Sequence, residues 1–208
     1  MLRHKKAKTA SVCIVLIWLM SAWGCAGRAY LIVDYQVPAA SQALQGKAVQ
    51  LRIEDQRGKP NVMSPAAAYQ FRDFRQRYSL AWVTPGKERI LAGEHDLMAL
   101  VKLAFEKRLS QLGLSIEGAT ASQPPVLTVA LQEFTIDLQG RKWTATIDYE
   151  ASLTQKDHPK AKERIRGNAE RVRVIGRKGA DMVVSDIFTE AVNRVNIEKL
   201  FQEAKIIP

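Results

Sequence analysis

The alternation of apolar and polar side chains divides this chain into elements. Residues 30–37, YLIVDYQV, and 48–54, AVQLRIE, are rich in β-branched and aromatic side chains and alternate in part, which predicts two strands. The loop PAASQALQGK joins them. From 58 to 93 no period holds, and Pro60, Pro65, Pro85, Gly86 and Gly93 punctuate the stretch. It reads as an irregular insertion with one short helix over 65–77 and a short strand over 79–83. Helical spacing then appears over 94–112. Leu97, Leu100, Val101, Ala104, Phe105, Leu109 and Leu112 form one apolar stripe, and Gly113 ends it.

Residues 114–176 predict strands. The first, 114–117, is short, and Gln123-Pro124-Pro125 separates it from the next. Along 126–138 the apolar positions run Leu127, Val129, Leu131 and then change phase to Phe134, Ile136, Leu138. Such a slip turns the later side chains outward unless an extra residue absorbs it, so a β-bulge is expected near Gln132–Glu133. Strand 143–153 alternates cleanly, with Trp143, Ala145, Ile147, Tyr149, Ala151 and Leu153 inward and Thr144, Thr146, Asp148, Glu150 and Ser152 outward. Strand 163–175 slips once more, from Ile165, Gly167 and Ala169 to Val172 and Val174. Three long consecutive strands with one apolar face predict an antiparallel meander. Over 180–204 the residues Val184, Ile187, Phe188, Ala191, Val192 and Val195 share a helical face, and the phase shifts at Asn196, leaving Leu200 and Phe201 to a separate turn. The fold class that follows is α+β: a two-layer sandwich, its antiparallel sheet covered on one face by two helices.

The N-terminus carries an address instead of a fold. Arg3, Lys5, Lys6 and Lys8 precede the apolar run VCIVLIWLMSAW at 12–23, the pattern of a secretory signal peptide. The run is short for a membrane span, which needs roughly 20 apolar residues; a retained anchor is the alternative. Gly24-Cys25-Ala26 resembles a lipobox, the cleavage site of bacterial lipoproteins, although Ala22 and Trp23 stand where Leu and a small residue are usual. Cysteine usage supports lipid attachment at Cys25 over ordinary cleavage near Ala22 or Ala26. The only other cysteine, Cys13, lies in the apolar run, so the mature chain holds no disulfide partner. The expected organisation is a signal peptide over 1–24, a lipidated tether over 25–29, and one α+β domain over 30–208 with an irregular insertion at about 58–93. The formal charge is +10, from 31 Lys and Arg against 21 Asp and Glu. Four of those cations leave with the leader. In an exported protein, anionic head groups or acidic polymers are the fitting attractants and nucleic acid is not expected.

These features together resemble the YajG-like lipoproteins of Gram-negative bacteria. The likeness is carried by the cysteine leader, an early strand ending in Asp55-Gln56-Arg57, the helix LVKLAFEKRLSQLG at 100–113, the meander and the C-terminal helix. The long 58–86 segment departs from that pattern. The resemblance implies an envelope location and this fold, with no activity attached.

Candidate chemistry is sparse. Of three histidines, His4 leaves with the leader, His158 sits in the polar turn KDHPKAK, and His95 belongs to Glu94-His95-Asp96 at the start of the predicted helix. A metal site needs three or four converging ligands, and neither histidine has them nearby in sequence. No Gly-x-Ser-x-Gly, phosphate loop or free cysteine nucleophile is present, so no enzymatic activity, cofactor or metal is expected. Two surface candidates remain. In Phe71-Arg72-Asp73-Phe74-Arg75-Gln76-Arg77-Tyr78, a helix would align Phe71, Phe74 and Tyr78 with Arg72, Arg75 and Arg77 around them, suited to a membrane or protein partner. The alternative is that the aromatics complete the core. The second candidate is the row Arg164, Arg166, Arg171 and Arg173, all facing solvent if the strand bulges, as an anion-binding face. Against it stands cross-strand pairing: a pair sum of 314 sets Glu150 opposite Arg164 and Asp148 opposite Arg166, and a sum of 316 sets Glu150 opposite Arg166. The expected function is a non-enzymatic envelope lipoprotein, tethered at the outer membrane and binding a protein or lipid partner. The alternative is a lipid-handling accessory subunit of an envelope transport system, cradling an acyl chain between sheet and helices.

Overall fold

The computed structural model describes residues 29–116, 124–172 and 178–208. Among them the elements run β1 (Tyr30–Gln36), β2 (Ala48–Asp55), α1 (Pro65–Gln70), β3 (Arg77–Val83), β4 (Arg89–His95), α2 (Leu97–Gln111), β5 (Ser115–Ile116), β6 (Val126–Gln139), β7 (Lys142–Thr154), β8 (Ala161–Val172), α3 (Lys178–Arg194) and α4 (Ile197–Glu203). The architecture is an α+β sandwich. Its sheet is not one antiparallel layer, however. A five-stranded sheet in the order β5-β2-β6-β7-β8 contains the meander, and β1-β3-β4 form a separate three-stranded sheet. Both are mixed, because β1 pairs parallel to β3 and β2 parallel to β6.

The meander follows its sequence pattern closely. β6 and β7 pair continuously except for a register shift between Leu131 and Glu133, where the apolar phase changes. The bulge keeps Phe134, Ile136 and Leu138 on the same buried face as Leu127, Val129 and Leu131. All six inward positions of β7 are buried, Trp143 and Leu153 completely. Gly113 takes φ +82 at the end of α2, with a Cβ position only 3.1 Å from the Gln45 backbone, so the helix stops where only glycine fits.

The second expected slip, in β8, is absent. β7 and β8 hold one register throughout, with a pair sum of 314. Arg171 therefore lies opposite Trp143, on the helix side of the sheet. No bulge is required there, because the strand has run past the core: Arg171 reaches Asp186 of α3 at 2.7 Å, and Val172 points outward, 68% exposed. The outer face of β7 also departs from expectation. Thr144 and Thr146 are half-buried, and Asp148 is buried beneath two arginine side chains.

α3 explains why the strands form two sheets. Its apolar face, including Val184, Ile187 and Ala191, packs on β7 and β8. At Gly167 a Cβ would fall 2.5 Å from Ile187 Cδ1, so the Ile187 side chain lies directly over this glycine and would have to shift for any larger residue there. A second, polar stripe of α3 runs along the edge of β1. Ile32 N donates to Asp181 Oδ1 at 2.8 Å, Asp34 N to Ser185 Oγ at 2.9 Å, and Gln36 N to Thr189 Oγ1 at 3.1 Å. Four helical residues rise about 6 Å and two strand residues about 6.6 Å, so the two periods stay in step over this length. The edge that would otherwise take another strand is thus satisfied by a helix.

The insertion expected at 58–93 is largely ordered structure. It contains α1, all of β3 and most of β4, a strand that its sequence does not announce. Glu94 and His95 end β4 instead of starting a helix; α2 begins at Leu97, with Asp96 Oδ1 accepting from Ala99 N at 2.8 Å. At the C-terminus Asn196 caps α4, which buries Leu200 and Phe201 separately from α3, as the phase shift predicts.

Candidate functional site

The segment 71–78 is not a helix. α1 starts on the Ser64 cap and ends at Gln70, with Phe71 as its C-cap. Arg75 N then donates to Ala29 O at 3.0 Å, and Arg77 is in register with Tyr30, so the chain is already extended where helical spacing would continue. Pairing with β1 overrides the local preference. Phe71, Phe74 and Tyr78 meet through edge-to-face contacts that extend to Trp143 and Phe134, with ring centroids 5.8–6.3 Å apart. Phe71 is 2% exposed and Tyr78 fully buried, while Phe74 is half-buried. The aromatics therefore close the core, which corrects the expectation of an exposed aromatic contact surface. Arg72, Arg75 and Arg77 stay at the surface, Arg72 lying 4.5 Å over the Tyr69 ring.

The arginine row is divided between faces. Arg164 grips Asp148 with two bonds of 2.9 and 2.8 Å, and Arg166 adds a third at 2.7 Å. Lys162 approaches Glu150 at 3.5 Å. The Arg164 guanidinium, more than that of Arg166, holds the Asp148 carboxyl below the usual carboxylate range. Arg164 and Arg166 thus face outward as expected and take a cross-strand acid between them, whereas Arg171 lies on the opposite face. Arg173 lies outside the described residues, as do Cys25 and the rest of residues 1–28.

Asp55-Gln56-Arg57 holds a feature that the sequence pattern does not announce. Arg57 forms a bidentate pair with Asp55, its Nε and Nη2 each 2.8 Å from a carboxylate oxygen, and its side chain is only 8% exposed. Its Nη1 and the Tyr78 hydroxyl are both buried without a hydrogen-bond partner among the described residues. Burial pushes the Tyr78 phenol up, and the pairing holds Asp55 below its ordinary range.

The two described histidines each lie against a main-chain oxygen. His95 Nε2 lies 3.0 Å from Ala92 O, and His158 Nδ1 lies 3.1 Å from Ala204 O, which ties the β7–β8 turn to the end of α4. Among the described residues no group of three or more His, Cys, Asp or Glu side chains could hold a metal ion, and no helix is long and apolar enough to cross a membrane.

No family model and no curated protein matches the chain. Solved structures do. Protein XCC0632 from Xanthomonas campestris, of family DUF330, superposes with a TM-score of 0.50 at 11% identity, covering 84% of this chain and 97% of that one. Rare lipoprotein B from Shewanella oneidensis follows at 0.39 and 13% identity, covering 51% of this chain and 89% of that one. The hypothetical protein CT253 from Chlamydia trachomatis gives 0.41 and 11%, covering 75% and 97%. The first likeness establishes a shared fold with XCC0632.

Proposed function

We propose that this chain is a non-enzymatic lipoprotein of the bacterial cell envelope, anchored through acylated Cys25, whose domain binds a protein partner or another envelope component. The observation that carries this reading is the position of Cys25. It follows a secretory leader directly and precedes Ala29, the first described residue, by four positions. Four extended residues span about 14 Å, so an acyl chain on Cys25 would hold the start of β1 close to the bilayer. The kinship with YajG-like lipoproteins belongs to the same proposal. So does sorting to the outer membrane, since Ala26 follows the cysteine in place of the Asp that resembles the inner-membrane retention signal of enteric bacteria.

The test is direct. Replacing Cys25 by Ser should abolish labelling by a fatty-acid probe and release the domain from the membrane fraction. A Cys25→Ser protein that stays membrane-bound at the size of the wild type overturns the anchor. Density-gradient fractionation checks the choice of membrane, and cross-linking of the tethered protein followed by pull-down checks for a partner.

A further inference from the structure

The end of the molecule that bears the tether differs from the rest in what it exposes. β1 and β3 both start there, as Tyr30 faces Arg77. α3 starts there too, since Asp181 binds the Ile32 amide and a Cβ on Gly179 would meet Trp143 at the start of β7. The β6–β7 turn at Gly140-Arg141 and the last residue of β8, Val172, complete that end, because Val172 pairs with Lys142. Arg72, Arg75 and Arg77 border the point where the chain leaves toward Cys25. None of the three meets a carboxylate within ion-pair distance among the described residues. Asp73 and Glu94 are acids of the same rim, and Arg77 bonds only the Glu94 main-chain oxygen, at 3.0 Å. Among the described residues the large apolar side chains left uncovered are Tyr69, Ile90, Leu91, Ile116, Val172 and Met182. Tyr69, Val172 and Met182 belong to this end.

We propose that this end is a membrane-docking face: Arg72, Arg75 and Arg77 engage the phosphate groups of an anionic bilayer while Tyr69, Val172 and Met182 lie against its interface. The occupant follows from the proposed tether: four positions separate Cys25 from Ala29 and reach at most about 14 Å, which brings the bilayer next to this end first. Arginine forks suit phosphate oxygens, and an aromatic ring with its own guanidinium suits the head-group layer. Docking sets the orientation of the domain. β7 runs away from the membrane for about 40 Å, and the β7–β8 turn with α4 is presented at the far end. The choice of occupant and the orientation both rest on the lipid-anchored reading; contact between face and lipid is testable without it.

The mature chain carrying Cys25→Ser, and so unable to be acylated, is sedimented with phosphatidylethanolamine vesicles that do or do not contain phosphatidylglycerol. Binding is expected only with phosphatidylglycerol and should weaken as salt is added. Changing Arg72, Arg75 and Arg77 together to Gln should lower the affinity on the order of 100-fold, with an unaltered melting temperature. Changing Lys156, Lys160 and Lys205 at the far end to Gln should leave it unaltered. The proposal is overturned if the unacylated chain does not bind anionic vesicles, or if the far-end variant loses as much as the rim variant. Because acylation plays no part in this assay, failure of the anchor leaves its result standing, and the reverse holds as well.

Discussion

At the scale of single residues, Asp148 shows how a sheet's outer face acquires structure of its own. Alternation assigns it to solvent, and it does point away from the helices. Two arginines of the neighbouring strand nonetheless fold over it and leave it 7% exposed. Alternation reports the direction of a side chain but not what long neighbours do above it. Its depressed carboxyl pKa has a consequence for stability. The interaction is fully present above the unfolded value of about 3.9 and is lost as pH falls through the lower folded value. Asp148→Asn should therefore be less stable than the wild type at neutral pH, and the difference should shrink in urea melts taken toward about pH 3. A constant difference over that range would show that the carboxylate is not what Arg164 and Arg166 hold. On the buried face Ile147 behaves as its position in the pattern predicts. Ile147→Ala should cost about 2–5 kcal/mol, against about 0.5 kcal/mol for Thr146→Ala.

Among the elements, legibility follows regularity. The bulge in β6 is readable because the apolar phase visibly changes within one strand. The break between α3 and α4 is readable for the same reason at Asn196. β4 is not readable, because its register on β3 shifts between Leu80 and Ala81, Gly93 takes φ +103, and Ile90 and Leu91 are both exposed. A strand with a bulge and uncovered apolar residues leaves no period to detect. The polar stripe of α3 was equally hidden. Asp181, Ser185, Thr189 and Asn193 look like the ordinary wet face of an amphipathic helix, yet they supply the hydrogen bonds along the free edge of β1. Asn193 closes the row by accepting from the Tyr35 hydroxyl at 2.7 Å and donating to Gln36 O at 3.0 Å. Ser185→Ala should leave the Asp34 amide without its partner. A loss of about 1–3 kcal/mol is expected in denaturant melts, with faster hydrogen exchange at Asp34 than at the amides of β3. Unchanged exchange there would mean that water replaces the hydroxyl at no cost.

In the whole molecule, the division into two sheets raises the question of whether they are one cooperative unit. The sequence predicts a single sheet, since consecutive strands usually pair, and no residue in β1 or β2 signals that they part. What holds the halves together is α3, which packs its apolar face on β7 and β8 and lays its polar stripe along β1. The contact of Tyr35 with Phe188, centroids 6.2 Å apart, and the bond from the Tyr149 hydroxyl to Ala191 O at 2.7 Å anchor the same helix to both sheets. The aromatic chain from Phe74 and Tyr78 to Phe134 and Trp143 adds a second link, on the side where β3 and β7 begin. Two sheets bound through a shared helix and a shared aromatic cluster should unfold together. The described residues provide their own reporters, Trp82 in β3 and Trp143 in β7, one in each sheet, and a chain from which the proposed leader has been removed lacks Trp18 and Trp23. In Trp82→Phe and Trp143→Phe variants the remaining indole should report the same urea midpoint as the circular dichroism of the same variant. Phe71→Ser, which removes a buried ring touching Trp143, should lower that midpoint equally for both indoles, by an amount typical of a large core truncation, about 3–5 kcal/mol. If Trp82 instead reports a separate earlier transition that Phe71→Ser does not move, the three-stranded sheet is an independent unit, and the polar stripe of α3 fastens it only loosely to the meander.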